Sequence, residues 1–125
     1  MADENYNAEE AAELYLAGDP HRAAFVAHDR TGVMTGFAEA SLRFDYVEGC
    51  ETSPVAYLEG VYVRPEMRRG GIARALVAAV ADWGRERGCT EFGSDALIDN
   101  VESHGFHTAL GFAEAERIVH FRKLL

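Results

Sequence analysis

The sequence predicts one domain of the α/β or α+β class, a sheet carrying crossover helices, and three observations predict it. The chain has 125 residues, the length of a single compact domain able to bury roughly two thirds of its unfolded surface. Its first half holds strand-like runs joined through a turn, and its second half alternates strand with helix, the pattern of a sheet with crossover connections. No repeat, low-complexity tract or Pro/Gly/Ser linker divides it.

Ala8 to Ala17 favour helix, with Gly18-Asp19-Pro20 as the stop. A strand is expected over Ala23 to Ala27 and its partner over Val33 to Phe44, joined through Asp29-Arg30-Thr31-Gly32, whose Asp and Gly are turn formers. Asp45 to Pro54 is polar and acidic, a loop at the hairpin end. The next strand, Val55 to Val63, stops at Arg64-Pro65 because proline cannot donate to a ladder. Beyond Gly70 and Gly71, Ile72, Leu76, Val80 and Trp83 recur at helical spacing, and Gly88 closes that helix. Thr90 to Ser94 reads as a short buried strand, Asn100 to Leu110 as a helix, and Phe112 to Lys123 as the last strand.

A hydrophobic fraction of 48% and a charged fraction of 26% are those of an ordinary globular protein. No apolar run approaches the roughly 20 residues of a membrane helix, and Met1-Ala2-Asp3-Glu4-Asn5 has neither the basic nor the apolar part of a signal peptide. A bacterial-type cytoplasmic location without a membrane partner is therefore expected. Cys50 and Cys89 are far apart and lack ligand spacing, so they read as reduced thiols and no metal is expected. The net charge of -9 argues against a nucleic-acid partner and suits a cationic ligand, although acidity also serves solubility.

The most informative stretch runs from Val61-Tyr62-Val63 through Arg68-Arg69-Gly70-Gly71-Ile72-Ala73, where a strand ends, glycines open a loop and a long helix begins. Small residues let backbone N–H groups close around an anion, the positive end of the helix dipole favours negative charge, and two arginines stand at the mouth. A pyrophosphate fits there, as does a plain turn with two solvated arginines. The P-loop ending and the G-x-G-x-x-G spacing are both missing.

Here the sequence resembles the GNAT acetyltransferase superfamily. Arg68-x-x-Gly71-x-Ala73 matches its pyrophosphate motif, and Asn100 followed by His107-Thr108-Ala109-Leu110-Gly111-Phe112 is similar to its Asn…Tyr-x-x-Leu-Gly-Phe arrangement. Within the superfamily the stretches Ser41 to Gly49, Glu51 to Val55, Leu58 to Val63, Phe92 to Ala96 and Glu114 to Lys123 look most like aminoglycoside 6'-N-acetyltransferases. The resemblance implies a mixed, mostly antiparallel sheet flanked by helices, with the relatives' first strand and helix missing at the amino end. It implies acetyl-coenzyme A as co-substrate, with Val61, Tyr62 and Val63 holding the pantetheine arm, Arg68 to Ala73 the pyrophosphate, and Asn100 the opposite side.

Acetyl transfer needs a neutral amine, a stabilised oxyanion and a proton for the departing thiolate. Glu59, on the strand before the cofactor amides, is a candidate amine binder and general base; a solvated carboxylate or ion pair fits its composition equally. Asp95 lies at a strand end, where open sheets place ligands, and Glu116 sits on the expected last strand. The likeness assigns both to contacts with aminoglycoside amines; without it, Asp95 reads as a helix N-cap and Glu116 as a surface charge. Tyr46 matches a residue that reaches a neighbouring subunit's acceptor site, implying a homodimer, and reads otherwise as an exposed loop aromatic. His107 stands where the superfamily carries a tyrosine acid, completing a candidate catalytic set with Glu59 and Asp95, yet a lone helix histidine is often structural. The other histidines show no metal-ligand pattern. An acetyltransferase for polyamines, amino acids or peptide amino termini, and a non-catalytic acetyl-coenzyme A-binding module, are the alternative functions.

Overall fold

The structure, a computed structural model, describes residues 12–14 and 19–125. A five-stranded sheet runs in the order β1 (Ala12–Leu14), β2 (Arg22–His28), β3 (Met34–Arg43), β4 (Val55–Val63) and β5 (Phe92–Gly93). The first four strands are antiparallel neighbours, and β5 joins β4 in parallel through Ala56↔Phe92 and Tyr57↔Gly93. Two helices, α1 (Ile72–Glu86) and α2 (Val101–Ala109), complete the mixed, mostly antiparallel architecture that the resemblance implies.

Two expected elements differ. Residues 12–14, expected in a helix, form β1 and pair with Val26, Phe25 and Ala24; the rest of that expected helix lies outside the described residues. Pairing satisfies the backbone groups along the outer edge of β2, a gain that overrides the weak helix preference of Ala and Glu. Phe112 to Lys123, expected as the last strand, carries no ladder. A strand needs a hydrogen-bonding partner, and two-residue β5 offers no edge long enough, so Val119, Phe121 and Leu124 stand exposed.

Local chemistry explains the other boundaries. In the β2–β3 turn Asp29 Oδ1 accepts from the Thr31 amide at 2.8 Å, the Thr31 hydroxyl at 2.6 Å and the Val33 amide at 3.1 Å, while Gly32 takes φ 89°. At the end of α1 the Gly88 amide donates to the Arg85 carbonyl and the Cys89 amide to the Gly84 carbonyl, each at 3.0 Å, closing the helix as the glycine predicts.

The core lies between α1 and one face of the sheet. Ile72, Leu76, Val77, Val80 and Trp83 pack on Ala23, Phe25, Ala27, Ala38, Ala40, Leu58 and Val63. Alanines on the sheet let the helix approach closely, most of all at Gly84, where an added Cβ would stand 2.6 Å from the Ala56 Cβ. Gly84→Val is therefore expected to cost about 1–3 kcal/mol by overpacking. Gly105→Ala, which meets open space on α2, is expected to stabilise by about 0.5–1 kcal/mol. Thermal unfolding of the two variants checks both signs.

On the opposite face a smaller cluster of Val47, Val55 and Tyr57 lies beneath the loop of residues 44–54. Glu91 ties that loop down, accepting at Oε1 from the Glu51 and Thr52 amides, each at 2.8 Å, and from the Thr52 hydroxyl at 2.5 Å. The Thr52 hydroxyl and then the two amides hold the Glu91 carboxyl below its ordinary 4.5. Because folding lowers this pKa, the tether contributes fully above pH 4.5 and is lost as pH falls through the lowered value. The protection of the Glu51 and Thr52 amides, their exchange relative to an unstructured chain at the same pH, is expected to fall on acidification over that range, and Glu91→Gln to abolish this change in protection.

Candidate active site

Strand β4 is broken by a bulge that decides what its two halves do. Ala40 pairs with Leu58 and the preceding Glu39 with Gly60, so Glu59 is an extra residue without a partner on β3. Such an insertion bends the strand and re-aims its side chain. Before the bulge β4 is paired on both edges; past Tyr57 no described strand adjoins the β5 side, leaving residues 58–63 with an open edge.

The re-aimed Glu59 faces two side chains of β3. Arg43 Nη2 donates to its Oε1 at 3.1 Å and Oε2 at 3.0 Å, Arg43 Nε reaches Oε2 at 3.3 Å, and the Ser41 hydroxyl donates to Oε2 at 2.5 Å. With the two side chains 42% and 29% exposed, the ion pair contributes at most about 1 kcal/mol, so its main effect is geometric. The Arg43 guanidinium carbon also stands 3.5 Å from the centroid of the Tyr57 ring, and the Tyr57 hydroxyl donates to Asp95 Oδ2 at 2.7 Å. Two carboxylates singled out in the sequence are thus linked through Arg43 and Tyr57, which sequence reasoning missed together with Ser41. Period-2 alternation on β3 would have put Ser41 and Arg43 on one face, but the bulge that turns Glu59 toward them leaves no local signature.

Asp95 does not cap a helix; Asn100 does, accepting from the Ser103 amide at Oδ1 over 3.1 Å at the start of α2. Among the described residues no hydrogen bond or ion pair joins Glu116 to Glu59 or Asp95, and Glu116 lies exposed on the segment without a ladder instead of on a strand. Tyr46 is 71% exposed at an open depression of about 430 Å³ lined also by Phe44, Asp45, Cys50 and Ser53. His107 is tied at both nitrogens: Nδ1 lies 2.7 Å from the Ser103 carbonyl and Nε2 2.7 Å from the Ser94 hydroxyl. A carbonyl only accepts, so Nδ1 carries a proton and donates to it, and Nε2 and the Ser94 hydroxyl share the other hydrogen bond.

Below the open edge, Pro65–Met67 forms a 3₁₀ turn and Arg68 Nε donates to the Val63 carbonyl at 2.9 Å. Arg69 takes φ 68° and Gly71 φ 92°, a left-handed pair of bends that delivers the chain into α1. No side chain caps that helix and no acidic residue lies in its first turn, so its leading amides keep their donors and the positive end of its dipole unopposed.

This arrangement has close counterparts. The model of the acetyltransferase (GNAT) family matches residues 2–112. The chain belongs to the GNAT family. The GNAT chain is 49% identical over 110 residues to an aminoglycoside N(6')-acetyltransferase type 1 of Serratia marcescens, covering 88% of this chain and 75% of the relative. It is 52% identical over 108 residues to one of Acinetobacter baumannii, covering 86% and 74%. A solved structure of AAC(6')-Iy in complex with the bisubstrate analogue CoA-S-monomethyl-acetylneamine aligns with a TM-score of 0.81 at 48% identity, over 86% of this chain and 72% of that one.

GNAT membership makes acetyl-coenzyme A the co-substrate, and two observations fit it. The open edge of β4 past Tyr57 leaves backbone groups for an amide-bearing arm, and the uncapped start of α1, beside Arg68 and Arg69, suits a diphosphate.

Proposed function

We propose that this protein transfers an acetyl group from acetyl-coenzyme A to the 6'-amino group of aminoglycoside antibiotics, acting as a homodimer in the bacterial cytoplasm. The observation that carries this reading is about 50% identity, over more than four fifths of the chain, to relatives named for that activity. Bound acetyl-coenzyme A supplies an activated acetyl group, which passes to the amine nitrogen as the amine loses its proton and the thiol is released.

The chain's own residues bind, orient and move protons. The backbone of Val61 and the Val63 amide line the open edge where the pantetheine arm is held, Tyr62 between them turning its carbonyl to β3 and leaving its exposed ring beside that arm, and Arg68, Arg69 and the amides of Gly70 to Ala73 face the pyrophosphate. Asn100 closes the opposite side with its amide nitrogen, its oxygen being used in the cap. Asp95 offers Oδ1 to an acceptor ammonium. Glu59, bound to Arg43 and Ser41, keeps room at Oε1 for a further donor and serves as amine binder. His107 supplies the acid function with both ring nitrogens protonated: Nε2 donates to the Ser94 hydroxyl as that hydroxyl passes its own proton to the departing thiolate. Glu116 adds a third carboxylate for the acceptor's amines, and Tyr46 reaches the acceptor site of the neighbouring subunit. Exposed Ile118, Val119 and Phe121 on the segment without a ladder support a dimer, because apolar side chains gathered at a surface favour burial against a partner.

A thiol-release assay with acetyl-coenzyme A and a panel of amines tests the reading. Turnover of kanamycin-type aminoglycosides supports it. Turnover of polyamines, amino acids or peptides alone moves the substrate elsewhere, and cofactor binding without turnover makes the protein a binding module. Light scattering at twice the monomer mass checks the dimer.

A further inference from the structure

We propose that Tyr57 is a positioning residue that aims Asp95 at the acceptor amine, an inference that rests on the acceptor role given to Asp95 above. Asp95 follows the two-residue strand β5 and lies exposed in a stretch without regular structure, so its carboxylate has no fixed direction of its own. A carboxylate that swings freely loses rotamer entropy each time it meets an ammonium group. Tyr57 removes that freedom beforehand.

The tyrosine is built to do this. Its ring is only 6% exposed, on a strand hydrogen-bonded on both sides at that residue, and it pairs in register with Gly93, two residues before Asp95. From that pair the ring reaches past the end of β5 to the Asp95 carboxylate. Arg43 stacks on the ring at 3.5 Å and is itself pinned by Glu59. Gly93 leaves the room: a Cβ there would meet the ring's Cδ1 and Cε1 at 3.0 and 3.1 Å. The ring is thus fixed between an arginine and a glycine, and the hydroxyl it carries is held in place. Burial first, and then the bond to Asp95, push its pKa far above the ordinary 10.0, so it remains a donor throughout the neutral range.

An ionised carboxylate has no proton to give, so the 2.7 Å bond runs from Tyr57 to Asp95 Oδ2. No described residue hydrogen-bonds Oδ1, which is left for the substrate. The ring does not touch the amine; it acts through Asp95.

Steady-state kinetics of Tyr57→Phe, Asp95→Ala and the double variant with a kanamycin-type acceptor test this. Tyr57→Phe keeps the ring, the stacking and the packing, so folding is preserved. Its KM for the acceptor is expected to rise about tenfold, the loss of one charge-assisted hydrogen bond, with kcat and the KM for acetyl-coenzyme A within about twofold of the parent. In the Asp95→Ala background the same change is expected to add less than about twofold, because its target is gone. An acceptor KM unaltered by Tyr57→Phe overturns the proposal, as does an effect of equal size in both backgrounds or one shared with acetyl-coenzyme A. If Asp95→Ala itself leaves the acceptor KM unchanged, the acceptor role of Asp95 falls and this inference with it.

Discussion

Reversing Arg68 and Arg69 to glutamate is expected to weaken binding of coenzyme A at least about 100-fold. Each arginine removed forfeits a charge-assisted contact worth about 1.5–3 kcal/mol, and each glutamate adds repulsion; about 1.4 kcal/mol is a factor of ten. Stability should change far less. Both side chains are exposed, and the chief loss to the fold is the bond from Arg68 Nε to the Val63 carbonyl, worth about 1 kcal/mol. Titration calorimetry with coenzyme A, beside a thermal melt of the same variant, separates the two effects. Affinity unaltered by the reversal would remove the start of α1 as the diphosphate site.

Asp95→Ala is expected to act on the other half of the cleft, raising the KM for an aminoglycoside about 10- to 100-fold while coenzyme A binds as before. The size follows from the proposed contact of Oδ1 with an ammonium group at an exposed site, where solvent screens part of the attraction. The result expected from kinetics is a ratio of acceptor KM to cofactor KM that rises by the same factor. An unmoved ratio would take Asp95 out of the acceptor site.

The cofactor and acceptor halves of the proposed site were unequally legible in the sequence. The cofactor half is local: strand end, glycines, arginines and helix lie within about a dozen residues, and both β4 and the glycine stop of α1 fall where spacing and turn chemistry put them. The acceptor half is assembled from residues distant in sequence. Tyr57 and Asp95 stand 38 positions apart, and Arg43 meets Glu59 only because one inserted residue rotates β4. Periodicity carries no trace of such pairings. It also misled at both ends: the Ala- and Glu-rich stretch at residues 12–14 pairs as a strand, and the apolar alternation after Phe112 has no neighbouring edge to use. In each case the deciding term is whether backbone donors find a partner, which a short window cannot disclose.

The single unpaired residue at position 59 also divides the protein's capacity to change. Upstream of it, Ala56 and Tyr57 are fastened on both sides and β4 shares contacts with the loop of residues 44–54; downstream, one edge of its main chain is open, and in the function proposed above that edge meets a donor whose chemistry never varies. Substitutions that retune which polycation is accepted can therefore accumulate at residues 41–59 and 91–97 without touching the stretch that grips the invariant donor. Under the proposed function, a scaffold so divided could follow a changing set of acceptors while its supply of acetyl groups stays secure.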